Sequence, residues 1–103
     1  MQRGERRLFA RLDAPQNWYA SYAEGAGVIH DLCLGGACIR DEDPPYVGDR
    51  FEMTLNVDGD RLPVRAVVRH REPGEAMGVQ FVGLSDDVKV RLRDYLFKIA
   101  SKR

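Results

Sequence analysis

The sequence predicts an all-β domain, a closed barrel or sandwich of about six short strands with one helix at its C-terminus. Three observations predict it. Apolar and polar residues alternate with period two through the middle of the chain. Turn signals recur at short, regular intervals between the alternating runs. A single segment of helical periodicity stands alone at the end. With 103 residues and 44% apolar side chains, the chain is one domain with one modest core. That size excludes a two-domain enzyme and a barrel of alternating strands and helices, which needs about 250 residues.

The elements follow in order. Residues 1–12 are polar and rich in arginine and are read as a flexible arm. Residues 16–23, QNWYASYA, carry the aromatics of a first strand, and EGAG at 24–27 is a turn signal. VIHDLCL at 28–34 is a second strand, Gly35-Gly36 a turn, and ACIR at 37–40 a short third strand. DEDPPYVGD at 41–49 is a loop, because paired prolines remove donors and regular geometry. Phe51, Met53, Leu55 and Val57 alternate with polar residues, and Asp58-Gly59 is a hairpin signal. Leu62, Val64, Ala66 and Val68 form the inward row of the return strand, which runs to Arg69. Pro73-Gly74 turns the chain into a last strand with Met77, Val79 and Phe81. Tight closure of these strands removes free sheet edges.

Ser85 is a suitable N-cap, and Asp86 and Asp87 suit the positive end of a helix dipole. Val88, Leu92, Tyr95, Leu96 and Ile99 fall on one helical face, and Lys98, Lys102 and Arg103 complement the other end. The spacing predicts a helix over 86–101. Val90 and Phe97 fall on its opposite face, as scattered exposed apolar residues or as a small partner surface.

Net charge is zero but unevenly placed. Arg3, Arg6, Arg7 and Arg11 against Glu5 leave a basic arm, the last eighteen residues are also basic, and the middle is acidic. No broad basic stripe of a duplex-DNA protein is present, so DNA is not an expected partner. Arginine outnumbers lysine thirteen to three, which favours forked donors for phosphates and guanine edges. No apolar run approaches the ~20 residues of a membrane span, and the N-terminus lacks a signal peptide's apolar stretch. A cytoplasmic location is expected, with Cys33 and Cys38 as reduced thiols. A metal site would need more ligands at familiar spacing, so no metal and no cofactor is expected.

Enzyme signatures are absent: there is no nucleophile elbow, no HExxH and no phosphate-binding glycine loop. His30 adjoins Asp31 near Cys33, but strand alternation places it on the face opposite both. Trp18, Tyr19 and Tyr22 are candidates for stacking single-stranded bases, a reading that the acidic middle opposes.

The informative pattern joins two separated pieces. Arg7 and Arg11 frame an RxxxR, preceded by Arg6, and Asp31, Cys33 and Gly36 spell DxCxxG. With GGACIR and the closing MGVQFVGLSDD, the chain resembles the PilZ domain family, bacterial receptors for cyclic di-GMP that pair RxxxR with [D/N]xSxxG. The resemblance covers nearly the whole chain. It implies a six-stranded antiparallel barrel over 16–84, with the arm at 1–12 and the C-terminal helix at 86–101. It also implies a non-catalytic adaptor that binds the nucleotide and signals to a protein partner as its arm orders.

In that resemblance Arg7 and Arg11 contact phosphates and the Hoogsteen edges of guanine, and Arg6 assists. Asp31 accepts from the guanine N1 and N2 donors, sharing a strand face with Cys33 while Leu32 and Leu34 face the core. Gly35 and Gly36 complete the ligand-binding set, Gly36 by allowing close backbone approach. Cys33 departs from the family's serine, and a thiol is the weaker hydrogen-bonding group. Losing one neutral hydrogen bond costs about 0.5–1.5 kcal/mol, roughly tenfold in affinity at most. Because family members exist that act as protein partners without the nucleotide, a PilZ-like interaction module with weak or no binding is the alternative.

Overall fold

The computed structural model describes residues 12–23 and 25–101. Seven strands and one helix follow one another along the chain: β1 (Leu12–Asp13), β2 (Tyr19–Tyr22), β3 (Gly25–Cys33), β4 (Gly36–Arg40), β5 (Arg50–Val57), β6 (Asp60–Glu72), β7 (Ala76–Val82) and α1 (Asp86–Ser101). The sheet runs β3-β2-β5-β6-β7-β4 and closes through β3–β4, all antiparallel, a six-stranded barrel. The strand β1 is added on β3 beside β2.

The clearest alternation in the sequence gives the clearest register. Met53 faces Val64 and Leu55 faces Leu62 across β5 and β6, all inward. Asp58 and Gly59 join these strands with φ of 50° and 85°, the left-handed pair that matches the twist of a two-residue hairpin.

Closure concentrates on β3, which uses both edges. On one edge, Tyr19–Tyr22 pair with its first residues and Leu12–Asp13 with Leu32 and Asp31. Between them the Ala14 N–H donates to the His30 carbonyl and the Ile29 N–H to the Trp18 carbonyl. The row β1–β2 is therefore one interrupted strand. On the other edge β4 pairs with the second half of β3, with a bulge between Ile29 and Asp31.

Two glycines make the closure possible. A Cβ on Gly27 would lie 1.8 Å from the Arg40 carbonyl oxygen, and one on Gly36 would lie 2.1 Å from that of Val79. Neither glycine has a positive φ, so space is what each provides. Gly36, expected to admit a close backbone, admits that of β7.

The helix seals one end of the barrel. Val88, Leu92 and Leu96 are its buried face and join a single core with Ile29, Leu32, Ile39, Leu55, Leu62 and Met77. Ser85 Oγ accepts from the Val88 N–H at 3.2 Å, a cap worth about 1 kcal/mol. Its outer residues hold the β5–β6 turn: Tyr95 donates to Asp60, Lys98 lies 3.5 Å from Asp58 and Arg91 3.7 Å from Asp60. Trp18 completes this junction, its indole N–H donating to Asp58 at 2.9 Å and its ring meeting Tyr95 edge-on at 5.6 Å.

The differences from the sequence reading are local. Leu12, placed in the arm, is buried and paired in β1. The first strand is shorter than 16–23, since Trp18 precedes it as a core residue. Gly25–Gly27, read as turn, begin β3, because a residue without a side chain fits beneath Arg40. The arm with Arg3, Arg6, Arg7 and Arg11, and also Glu24, Lys102 and Arg103, lie outside the described residues.

Two predictions follow from this packing. Gly27→Ala and Gly36→Ala each force backbone against a carbonyl and should destabilise the fold by about 1–3 kcal/mol, read from the urea midpoint. Gly59→Ala tests the turn only, and its Cβ meets open space. The second concerns Tyr95, whose pKa the hydrogen bond to Asp60 raises from 10.0 to about 12. A raised folded pKa means stability that is present below pH 10 and lost as pH climbs through 12. The stability gap between the wild type and Tyr95→Phe should therefore narrow across that range, and absorbance titration should show an ionisation near pH 12 that Tyr95→Phe removes.

Candidate functional site

The DxCxxG segment occupies the end of β3 and the turn into β4. Leu32 points into the core and Leu34 packs against it, which leaves Asp31 and Cys33 on the outer face, as alternation predicts. Asp31 stands opposite Asp13 on β1 and opposite Cys38 on β4, so these three share one outward row. Cys33 stands opposite Gly36. Neither cysteine is in a disulfide. The Gly35 carbonyl accepts from the Phe81 N–H at 2.8 Å and anchors the turn to β7.

The expectation for His30 is overturned. The bulge between Ile29 and Asp31 inserts one extra residue. Ile29 and Leu32 both remain in the core, and the two residues between them both turn outward. His30 thus stands beside Asp31, its Nδ1 3.6 Å from Asp31 Oδ2, with the imidazole 54% exposed and the carboxylate only 16%. Asp31 Oδ1 is buried and has no hydrogen-bond partner among the described residues. A buried acceptor without a donor carries the full desolvation penalty, about 1–3 kcal/mol.

Beside this row an open groove of about 930 Å³ is lined by Gly27, Val28, His30, Cys38 and Arg40 from the barrel wall. Its far side carries Asp41, Glu42, Glu72 and Glu75. The hydrogen bond from His70 holds the Glu72 carboxyl below its ordinary value. The described groove lining is acidic on balance. Phosphate groups arriving here would need cations from elsewhere, and Arg6, Arg7 and Arg11 lie outside the described residues.

The aromatic candidates separate. Trp18 is 1% exposed and unavailable for stacking. Tyr22 packs on Phe51 at 5.4 Å and donates to Asp41. Tyr19 alone of the three is exposed, opposite Val28. On the outer face of α1, Val90 and Phe97 are 45% and 40% exposed. No described helix is long and apolar enough to cross a membrane. No group of three metal-ligating side chains occurs among the described residues.

Two features escaped sequence reasoning. The mark of the bulge is the spacing of Ile29 and Leu32, three apart where a regular strand buries residues two apart, and the alternation read from Leu32 and Leu34 passes over it. The orphaned Oδ1 of Asp31 is a property of packing. The resemblance does point to Asp31 itself.

Comparisons with known proteins agree with this geometry. The family model described as PilZ domain matches residues 2–98. Among solved structures, Bacillus subtilis MotI/DgrA, an inhibitor of motility, has a TM-score of 0.75 at 16% identity, covering 100% of this chain and 53% of that one. Escherichia coli YcgR in complex with c-di-GMP has a TM-score of 0.75 at 20% identity, covering 94% and 47%. The PilZ domain of YcgR with c-di-GMP has a TM-score of 0.72 at 19% identity, covering 94% and 93%. The chain thus spans about half the length of MotI and of full YcgR. No curated protein matches it by sequence.

The site generates one prediction about the ligand-free protein. Asp31→Asn removes the charge from a carboxylate whose buried Oδ1 lacks a donor among the described residues and which stands opposite Asp13, so its melting temperature should equal or exceed that of the wild type. A loss of stability would show that the carboxylate is held structurally.

Proposed function

The chain belongs to the PilZ domain family, and from that premise we propose that it is a non-catalytic receptor for cyclic di-GMP, acting in the bacterial cytoplasm and signalling to a protein partner. The observation that carries the reading is Asp31. Its carboxylate stands on the outer face of the barrel with Oδ1 lacking a donor among the described residues. The guanine N1–H and N2–H groups are two donors on one edge, which a carboxylate accepts together. A buried acceptor of this kind gains its missing partner when that edge docks.

The groove's acidity divides the labour. The barrel supplies the acceptor for the base, and the phosphates and Hoogsteen edges fall to Arg6, Arg7 and Arg11 of the arm. The arm closes over the ligand, so binding creates a surface that did not exist before. Cys33 weakens this site by at most one neutral hydrogen bond. The bound domain then meets its partner, for which the exposed Val90 and Phe97 on α1 are a candidate contact. The same exposed pair, with Cys33 in place of serine, supports a second reading as an interaction module that binds the nucleotide weakly or not at all.

Calorimetric titration with cyclic di-GMP separates the two. The receptor reading expects saturable binding. Arg7→Ala should weaken it at least tenfold, since hydrogen bonds to charged groups are worth about 1.5–3 kcal/mol each. Cys33→Ser should tighten it, by roughly tenfold at most. Absence of heat in both the wild type and Cys33→Ser would sink the receptor reading and favour the interaction module. A loss of partner binding in Phe97→Glu but not in Arg7→Ala would favour the module as well.

A further inference from the structure

We propose that His30 is a positioning residue for the base-reading carboxylate, and that through Asp31 it sets the preference for guanine over adenine. The inference rests on the receptor reading above. Its observation is independent of the motif: the bulge between Ile29 and Asp31 gives the two neighbours one outward face, which a regular strand forbids.

The two oxygens of Asp31 are then unequal. Oδ2 lies 3.6 Å from His30 Nδ1, while Oδ1 is turned inward with no partner among the described residues. At that separation the pair is an electrostatic contact, beyond direct hydrogen-bond length. It still fixes which oxygen faces the imidazole and which is left to accept. The other charged or thiol groups in this neighbourhood are Asp13 and Cys38, opposite Asp31 on β1 and β4, and Arg40, which shares the groove wall with His30. The imidazole of His30 lies against Asp31 Oδ2 from the same strand. A carboxylate held in this rotamer accepts from the N1–H and N2–H pair of guanine. Adenine presents an acceptor at N1 and no N2 donor, so the same carboxylate opposes it. Without His30 the carboxylate loses its imidazole contact, and both the affinity and the discrimination fall.

The test titrates the full chain with cyclic di-GMP and cyclic di-AMP, using the wild type, His30→Ala, Asp31→Asn and the double variant. His30→Ala is expected to weaken cyclic di-GMP binding about three- to tenfold, the lower part of the range for coupled neighbours. It should also shrink the ratio of the two affinities. In the Asp31→Asn background His30→Ala should change binding less than about twofold, because the effect passes through the carboxylate. Equal affinity and equal discrimination in the wild type and His30→Ala would overturn the proposal, as would fully additive losses. If Asp31→Asn binds too weakly to titrate, the discrimination ratio of His30→Ala decides alone. A merely structural role would lower the melting temperature and weaken both nucleotides alike, which also overturns it. A wild type that binds neither nucleotide defeats the receptor reading itself, a result distinct from a wild type that binds and ignores His30.

Discussion

Closure of the barrel through β3 is the constraint on which the rest depends. A sheet of six strands closes only when its two end strands pair with each other. Here those strands are β3 and β4, with β3 held on its other edge by the interrupted row β1–β2. The strands crowd where they meet, and the crowding selects residues without side chains. Gly27 yields to the Arg40 carbonyl and Gly36 to that of Val79. Gly36 of the DxCxxG segment and Gly27 of the preceding turn signal are therefore closure residues.

The same closure builds the candidate site. The β4 register slips by one residue along β3, and the bulge takes up the difference without moving Ile29 or Leu32 from the core. The slack appears on the outside, where His30 and Asp31 are forced onto one face. Bulges re-aim side chains where a regular ladder cannot. Function and topology are thus coupled at one residue: the step that lets the barrel close turns an imidazole toward a carboxylate.

The helix does comparable work for the core. Its buried stripe fills the barrel end, and its polar edge engages the β5–β6 turn through Tyr95, Arg91 and Lys98. Trp18 ties the start of the chain to the same turn. The exposed pairs among these add little each. The buried indole and the aromatic contact with Tyr95 contribute more, through apolar area removed from water. The helix, Trp18 and the β5–β6 turn consequently form one packed junction.

The sequence by itself determined the six strands of the barrel, the β5–β6 hairpin with its left-handed turn, the capped helix over 86–101 and the outward placement of Asp31 and Cys33. Each of these follows from local physics: period-two alternation, the φ preference of Asp-Gly, a serine that satisfies the first free N–H, and a single face of apolar residues. Its motifs also pointed to the family. Tertiary structure alone decided that Leu12 and Trp18 are core, that Gly27 and Gly36 serve backbone crowding, that His30 joins Asp31, and that one oxygen of that carboxylate is left without a donor. These depend on which strands become neighbours and in what register, and residues far apart in the chain set that register. A one-residue slip moves every following side chain to the other face, and the neighbouring strands decide where it falls.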